Sequence, residues 1–231
     1  YDGANGALVR SFFSFAGFLG GVNVAAGDID GDGRADVIVG AGAGAPGGHV
    51  KVFSGATGAE IYSFFAYGMG FLGGASVAAG DVDGDGRTDF ITGSGAGAPS
   101  GHVKVFSGRT GLELSSFLAY VGFNGGVRVS AGDLDGDGRA EVLTGTFGAA
   151  PHVKVFGPTG QERASFLAFD TARAATVDVA AVDVDGDGLK DVVAAARYGR
   201  VPQVRVFRGA DFAPVTVPFA LDDILGGVEV G

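Results

Sequence analysis

The chain has 231 residues, no cysteine and a formal net charge of -10, which excludes disulfide and thiol chemistry and argues against nucleic-acid binding. Hydrophobic residues make up 46% of the sequence, but no apolar run reaches the roughly 18 residues of a membrane span, so we expect a buried core and no membrane insertion. The acidic residues are concentrated, since 16 of the 26 Asp and Glu lie in four short loops and 10 remain elsewhere against 16 Lys and Arg. This concentration indicates divalent cations.

Internal repeats organise the whole sequence. The first aspartates of the four acidic loops are Asp28, Asp81, Asp133 and Asp183, at spacings of 53, 52 and 50 residues. Such a period is typical of the blades of a β-propeller. We therefore predict one propeller domain divided as follows: an outer strand of a split blade at 1–19, blades at 20–72, 73–124, 125–174 and 175–225, and the first strand of a further blade at 226–231.

The first repeat shows the predicted elements in chain order. Residues 22–27 form a strand, 28–36 an acidic loop, 36–40 a second strand, 49–53 a third and 60–67 a fourth. Glycines and prolines separate these segments, and none shows a sustained 3.6-residue apolar period. Four short strands per repeat predict an all-β fold of four-stranded propeller blades.

The two ends of the sequence match parts of a repeat. Residues 1–15 align with 53–67, a fourth strand, and residues 226–230 align with 20–24, a first strand. If the ring closes, these two strands can share a partial fifth blade. Alternatively, the chain is a piece of a longer repeat array.

The acidic loops supply the chemistry. Each loop has carboxylates at positions 1, 3, 5 and 9, and its position 7 carbonyl can add a backbone oxygen. Calcium binds six to eight oxygen ligands, and glycine at position 6 permits the tight bend that brings them together. The sequence thus predicts about four calcium ions, held by Asp28, Asp30, Asp32, Arg34, Asp36, Asp81, Asp83, Asp85, Arg87, Asp89, Asp133, Asp135, Asp137, Arg139, Glu141, Asp183, Asp185, Asp187, Leu189 and Asp191. Glu141 departs from the pattern, because the other loops have Asp at position 9.

These loops differ from EF-hands. An EF-hand needs a bidentate Glu at position 12, where this sequence has Val39, Thr92, Thr144 or Ala194. The sequences that flank the loops are predicted strands, whereas those of an EF-hand are helices.

The loop and its flanks resemble the FG-GAP repeat of integrin α-chain propellers, which also occurs in secreted bacterial proteins and fungal lectins. Phe18-Leu19-Gly20 and Phe71-Leu72-Gly73 precede the first strands, and Gly44-Ala45-Pro46 and Gly97-Ala98-Pro99 follow the second strands. The third repeat retains Ala149-Ala150-Pro151 and the fourth retains Val201-Pro202.

The resemblance implies a secreted or cell-surface interaction or adhesion module. In this interpretation calcium is structural, and a loop face binds a protein or a glycan. The alternatives are a lectin-like, carbohydrate-binding propeller and a lyase-type enzyme on the same fold. We do not expect an enzyme, because the carboxylates that could serve as acid and base are nearly all assigned to metal loops.

Three further features repeat from blade to blade. His49, His102 and His152 share one third-strand position, and we interpret them as packed strand residues. The basic residues two positions later are interpreted as solvated or inter-blade polar contacts; they are Lys51, Lys104, Lys154 and Arg205. The aromatic segments 63–67, 116–120 and 165–169 are predicted to pack between blades and not to form a sugar platform.

One first-strand position varies between repeats and points to the channel or its mouth. It is occupied by Asn23, Ser76, Arg128 and Asp178.

Overall fold

The computed structural model describes residues 4–148, 150–170, 176–197 and 203–215, and confirms an all-β fold. In these ranges helix is limited to one 3-10 turn at Pro46–Gly48, so none of the described helices could span a bilayer. The strands are β1 (Val22–Gly27), β2 (Asp36–Ala41), β3 (His49–Phe53), β4 (Glu60–Phe65), β5 (Ala75–Gly80), β6 (Asp89–Ser94), β7 (His102–Phe106), β8 (Glu113–Leu118), β9 (Gly126–Gly132), β10 (Glu141–Phe147), β11 (His152–Phe156), β12 (Glu162–Leu167), β13 (Val177–Val182), β14 (Asp191–Ala196), β15 (Val204–Phe207) and β16 (Pro214–Val215).

The sixteen strands form four antiparallel sheets of four strands, and each sheet is one sequence repeat. We call these sheets blades 1 to 4. The strands within each blade follow chain order, and the inner strands β1, β5, β9 and β13 of neighbouring blades lie side by side. The arrangement fits propeller blades, although the sheets do not close into a ring within the described ranges.

The hydrophobic core lies between the blades. One core cluster combines Ile38 and Val52 of blade 1 with Val77 and Phe90 of blade 2. Equivalent clusters join blade 2 to blade 3 and blade 3 to blade 4. Each blade is therefore stabilised mainly by apolar contact with its neighbours, since burial of apolar surface is the dominant favourable term in folding.

Aromatic residues of the outer strands complete these interfaces. The ring of Phe64 in β4 lies 4.7 Å from the ring of Phe106 in β7 of the next blade. Phe117 and Phe156 repeat this contact at 4.7 Å, and Phe166 and Phe207 repeat it at 4.5 Å. The predicted packing of the aromatic segments between blades is confirmed.

The predicted outer strand at 1–19 is described from residue 4 onward. Residues 4–21 form no β-strand with any described part of the chain. They nevertheless pack on blade 1 as the outer strands pack on the next blade: the rings of Phe12 and Phe53 are 4.8 Å apart, and Arg10 donates to the Ser54 carbonyl at 3.1 Å. These side-chain contacts match those expected from the alignment of this segment with an outer strand.

The predicted first strand at 226–231 and the end of the fourth blade at 216–225 lie outside the described residues. Ala149, Val201 and Pro202 of the repeat signature also lie outside them.

Candidate metal centres

Each acidic loop connects the inner strand of a blade to the second strand. Position 1 follows the last residue of the inner strand, and position 9 is the first residue of the next strand. In blade 1 the strand pairing ends at Gly27 and Asp36, so the nine-residue loop is closed at its base by the sheet itself. The same closure recurs in the other three blades.

The first aspartate of each loop holds the loop backbone in place. Asp28 Oδ1 accepts hydrogen bonds from the N–H groups of Gly31 at 2.8 Å and Asp32 at 3.0 Å, and Oδ2 accepts one from Gly33 at 2.9 Å. Gly31 and Gly33 have φ angles of 76° and 85°, which glycine adopts without strain. Asp81, Asp133 and Asp183 bind their own loops through the corresponding glycines.

The position 9 carboxylate links the loop to the turn after the third strand. Asp36 is fully buried, and its Oδ2 accepts from Ile29 N–H at 2.8 Å while its Oδ1 accepts from Gly55 N–H at 2.9 Å. Asp89 and Asp191 make the corresponding bonds to their own blades. Burial raises the pKa of Asp89 to about 6, although the hydrogen bonds that this carboxylate accepts from backbone N–H groups oppose the rise. A bound cation would favour the ionised form of this carboxyl.

The carboxylates converge at the same place in all four blades. One oxygen from each of three side chains lies within 4.8 Å of the other two in every loop. Blades 1 and 2 use positions 1, 3 and 5, whereas blades 3 and 4 use positions 1, 3 and 9. The clusters are Asp28, Asp30 and Asp32; Asp81, Asp83 and Asp85; Asp133, Asp135 and Glu141; and Asp183, Asp185 and Asp191.

This donor set fits a hard divalent cation. Every side chain in the clusters offers a carboxylate oxygen, the ligand type that calcium prefers. Burial, followed by the negative charge of Asp36, raises the pKa of Asp30, as expected for crowded carboxylates without a counter-charge. Arg34, Arg87, Arg139 and Leu189 donate their N–H groups to the position 5 carboxylates, and the role predicted for their carbonyls as ligands stays a prediction.

Neighbouring loops contact each other. The guanidinium of Arg87 in blade 2 donates from NH1 to the Asp30 carbonyl of blade 1 at 2.6 Å. The residue before position 9 also donates its backbone N–H to the first loop residue of the preceding blade, as Ala140 does to Asp81 at 2.6 Å. The loops therefore bridge the blades at one end of the inner strands.

The repeated histidines are not ligands of the acidic clusters. Each contacts a serine hydroxyl on the adjacent fourth strand of its own blade through Nε2. His49, His102 and His152 are partly buried, and burial, followed by the charge of the nearby lysine, lowers the pKa of each. They are packed strand residues, as the sequence predicted.

The lysines beside them form ion pairs within the blade, which the sequence did not reveal. Lys51 Nζ lies 2.6 Å from Glu60, and the lysines of blades 2 and 3 pair with Glu113 and Glu162. Two of these basic residues also make the expected inter-blade contacts. Lys154 Nζ lies 5.4 Å from the ring centroid of Tyr120 in blade 2, and Arg205 donates to the Ala168 carbonyl of blade 3 at 3.0 Å.

A cavity of about 890 Å³ opens at the end of the inner strands opposite the acidic loops. A second cavity of about 480 Å³ continues along the inner strands, and Asn23, Ser76 and Arg128 line both. Arg128 reaches from blade 3 to blade 1, donating from NH1 to Asn23 Oδ1 at 2.9 Å, and its Nε lies 3.4 Å from Asp178 Oδ1. The variable first-strand position thus lines the cavities along the inner strands.

The sequence missed the aromatic partner of this arginine. The guanidinium carbon of Arg128 lies 5.3 Å from the ring centroid of Phe147, a geometry typical of a cation–π contact. Phe147 occupies the position that is Gly42 in blade 1 and Gly95 in blade 2. An aromatic residue in place of a repeated glycine is the signal that could have identified it.

Comparison with known proteins identifies the repeat. The model of the FG-GAP repeat matches residues 20–53 and 125–165, and that of the FG-GAP-like repeat matches residues 81–144. Together these matches cover just over half of the chain.

A solved structure shares the fold. It is a protein of unknown function from Bacteroides caccae, with 14% sequence identity and a TM-score of 0.51. The match covers 90% of this chain and 60% of that protein. At this identity the likeness shows the fold alone.

Proposed function

The chain belongs to the FG-GAP repeat family, and from this premise we propose that it is an extracellular interaction module whose blades are held together by calcium. The observation that carries the proposal is the recurrence of three converging carboxylates at the same position in each blade. FG-GAP repeats are typical of extracellular proteins, where calcium is abundant enough for sites with dissociation constants of about 10⁻⁴ to 10⁻³ M.

In this proposal calcium has a structural role. A bound calcium ion supplies positive charge that offsets the repulsion between the loop carboxylates. The chain's own residues do the positioning: Asp28 fixes the loop backbone and Asp36 anchors the loop to the sheet. Because the loops also contact each other between blades, removal of calcium should weaken the interfaces as well as the loops.

Thermal unfolding with calcium, with magnesium and with EDTA tests the proposal. Calcium at ten times its dissociation constant stabilises a protein by about 1.4 kcal/mol per site. Several sites should then raise the melting temperature by about 10 °C relative to EDTA for a chain of this size. Magnesium should give a much smaller rise, because it prefers near-ideal octahedral sites that retain water.

The variant Asp81→Asn provides the control for specificity. It removes the carboxylate that organises the second loop and should reduce the calcium-dependent rise without abolishing it. Equal melting temperatures of the wild-type protein in calcium and EDTA would contradict the calcium role.

We propose that the ligand binds at the face opposite the acidic loops. The cavity there falls within the size range of small-molecule sites, about 300–1,000 Å³, and its walls are mostly glycine and apolar residues with a few polar groups. The ligand is a protein segment or a glycan, and this role needs no catalytic pair.

Carbohydrate binding is the second candidate, and the side chains of this cavity favour it. Arg128 and Asn23 offer polar groups beside the ring of Phe147, a combination suited to a sugar. A glycan array with the wild-type protein and Arg128→Ala tests this function. A glycan signal that Arg128→Ala abolishes would support it, and a signal that is unchanged in the variant would place the sugar elsewhere.

A further inference from the structure

Blade 3 differs from the other blades at three positions, two of which contact each other through Glu141 and Arg163. Position 9 is Glu141, where the other blades have Asp. The turn after the third strand is one residue shorter in blade 3, and its second residue is Pro158 where the other blades have a glycine. Arg163 replaces an aliphatic residue on the outer strand. The glycines of the other blades are Gly55, Gly108 and Gly209, and the aliphatic residues are Ile61, Leu114 and Val215.

The proline removes a hydrogen-bond donor from the position 9 carboxylate. In blades 1, 2 and 4, the turn glycine donates its backbone N–H to Oδ1 of the position 9 aspartate, at 2.9, 3.0 and 3.1 Å. Proline has no N–H group, so Pro158 cannot make this bond. Glu141 retains only the other bond of the pattern, in which its Oε2 accepts from Leu134 N–H at 2.9 Å.

The arginine replaces the missing donor and extends into the acidic cluster. Arg163 donates from NH1 to Glu141 Oε1 at 2.6 Å and from NH2 to Asp135 Oδ2 at 2.6 Å. Glu141 and Asp135 are two of the three carboxylates that converge in this loop. The Glu141 side chain is 1% exposed, so its carboxylate is shielded from water. Its charge is paired with the guanidinium of Arg163.

We infer that the third loop is not a calcium site, because the guanidinium of Arg163 supplies its positive charge, and that the chain binds three calcium ions and not four. This inference rests on the proposed calcium role of the other loops. A calcium ion would have to separate Arg163 from a buried carboxylate and then lie beside the displaced positive charge. Both effects oppose its binding.

In the second loop, an arginine also contacts a loop carboxylate, but it does not take the place of calcium. Arg109 donates to Asp85 Oδ2 at 2.7 Å, but its side chain is 54% exposed and makes only this contact with the loop among the described residues. Asp89 keeps its bond from Gly108. The loop of blade 2 therefore remains a calcium site, and Arg109 offers a matched control.

Calorimetric counting of bound calcium tests the inference. The wild-type protein should bind three ions, and Arg163→Leu, which introduces the blade 2 residue, should bind four. The control Arg109→Leu should still bind three. Four ions in the wild-type protein would overturn the inference alone, whereas no bound calcium would overturn the proposed function itself.

Hydrogen exchange on the wild-type protein gives a second test that does not depend on a variant that folds. Removing calcium with EDTA should increase exchange at the amides of loops 1, 2 and 4. The amides of 133–141 should change least, because Arg163 holds that loop without metal. An increase in loop 3 as large as that in loop 2 would contradict the inference.

Discussion

Blades 1 and 2 have inner strands of similar sequence in different environments. Val24 in β1 is 65% exposed, whereas the equivalent Val77 in β5 is 7% exposed. Val22 is 50% exposed and its equivalent Ala75 is 1% exposed. The apolar pattern of the repeat therefore encodes contact with a preceding blade, and blade 1 has this pattern on a face that no described element covers.

The covered interface depends on a glycine in the preceding blade. A Cβ atom at Gly40 of blade 1 would lie 2.5 Å from the Ala75 carbonyl oxygen and 2.9 Å from Val77 Cγ1. The absence of a side chain lets the two strands approach closely. A Cβ atom at Gly93 or Gly145 would likewise be too close to the inner strand of blade 3 or blade 4. Stability in this chain therefore resides largely at the interfaces between blades, so a repeated residue should affect the free energy of unfolding only where a neighbouring blade covers it.

The largest effect should come from the two valines. Val77→Ala should destabilise the calcium-bound protein by about 2 kcal/mol, because it removes two buried methyl groups and leaves a cavity. Val24→Ala should change the free energy of unfolding by less than about 0.5 kcal/mol, because its side chain is exposed. Urea unfolding of both variants measures the difference, and equal losses of stability would show that contact with a preceding blade does not set the contribution of this valine.

A smaller difference in stability loss is expected between substitutions of two loop arginines. Arg87 donates to the Asp30 carbonyl of the preceding loop, whereas the side chain of Arg34, at the same position in blade 1, makes no hydrogen bond to the described residues. Arg87→Ala should cost about 1 kcal/mol, the typical net contribution of a hydrogen bond. Arg34→Ala should be nearly neutral in the same unfolding experiment. A loss in Arg34→Ala that matched Arg87→Ala would show that the arginines act within their own loops.

The pKa values of the histidines should shift in the same direction in blades 1 and 2, because each ring lies beside a serine and a lysine of its own blade, although His102 also lies 5.5 Å from the ring of Tyr67 in blade 1. The pKa values of His49 and His102 should both lie below 6.5, since burial lowers each one. A lowered histidine pKa means that folding favours the neutral form. Its stabilising contribution is therefore full above pH 6.5 and is lost as the pH falls through the folded-state pKa. An NMR titration measures the values directly, and a pKa above 6.5 for either residue would contradict the prediction that burial lowers it.

Much of the fold was predictable because its signals are local. Each strand begins and ends near glycines or the acidic loop, so strand positions such as β1 and β3 followed from a few neighbouring residues. The convergence of Asp28, Asp30 and Asp32 also followed from their spacing within one short loop. The pairing of the first segment could not be predicted locally, because a strand requires a hydrogen-bonding partner that its own sequence does not specify.

The number of repeats, the all-β class and the place of the acidic loops could be predicted from the sequence, because these depend on spacing along the chain. Which of the repeated residues have neighbours depends on tertiary packing, as Val24 and Val77 show. It also brought Arg163 to Glu141 across the width of blade 3 and Arg128 to Asn23 across the channel. These contacts join residues that are 22 and 105 positions apart, so they depend on how strands and blades pack and not on local sequence pattern.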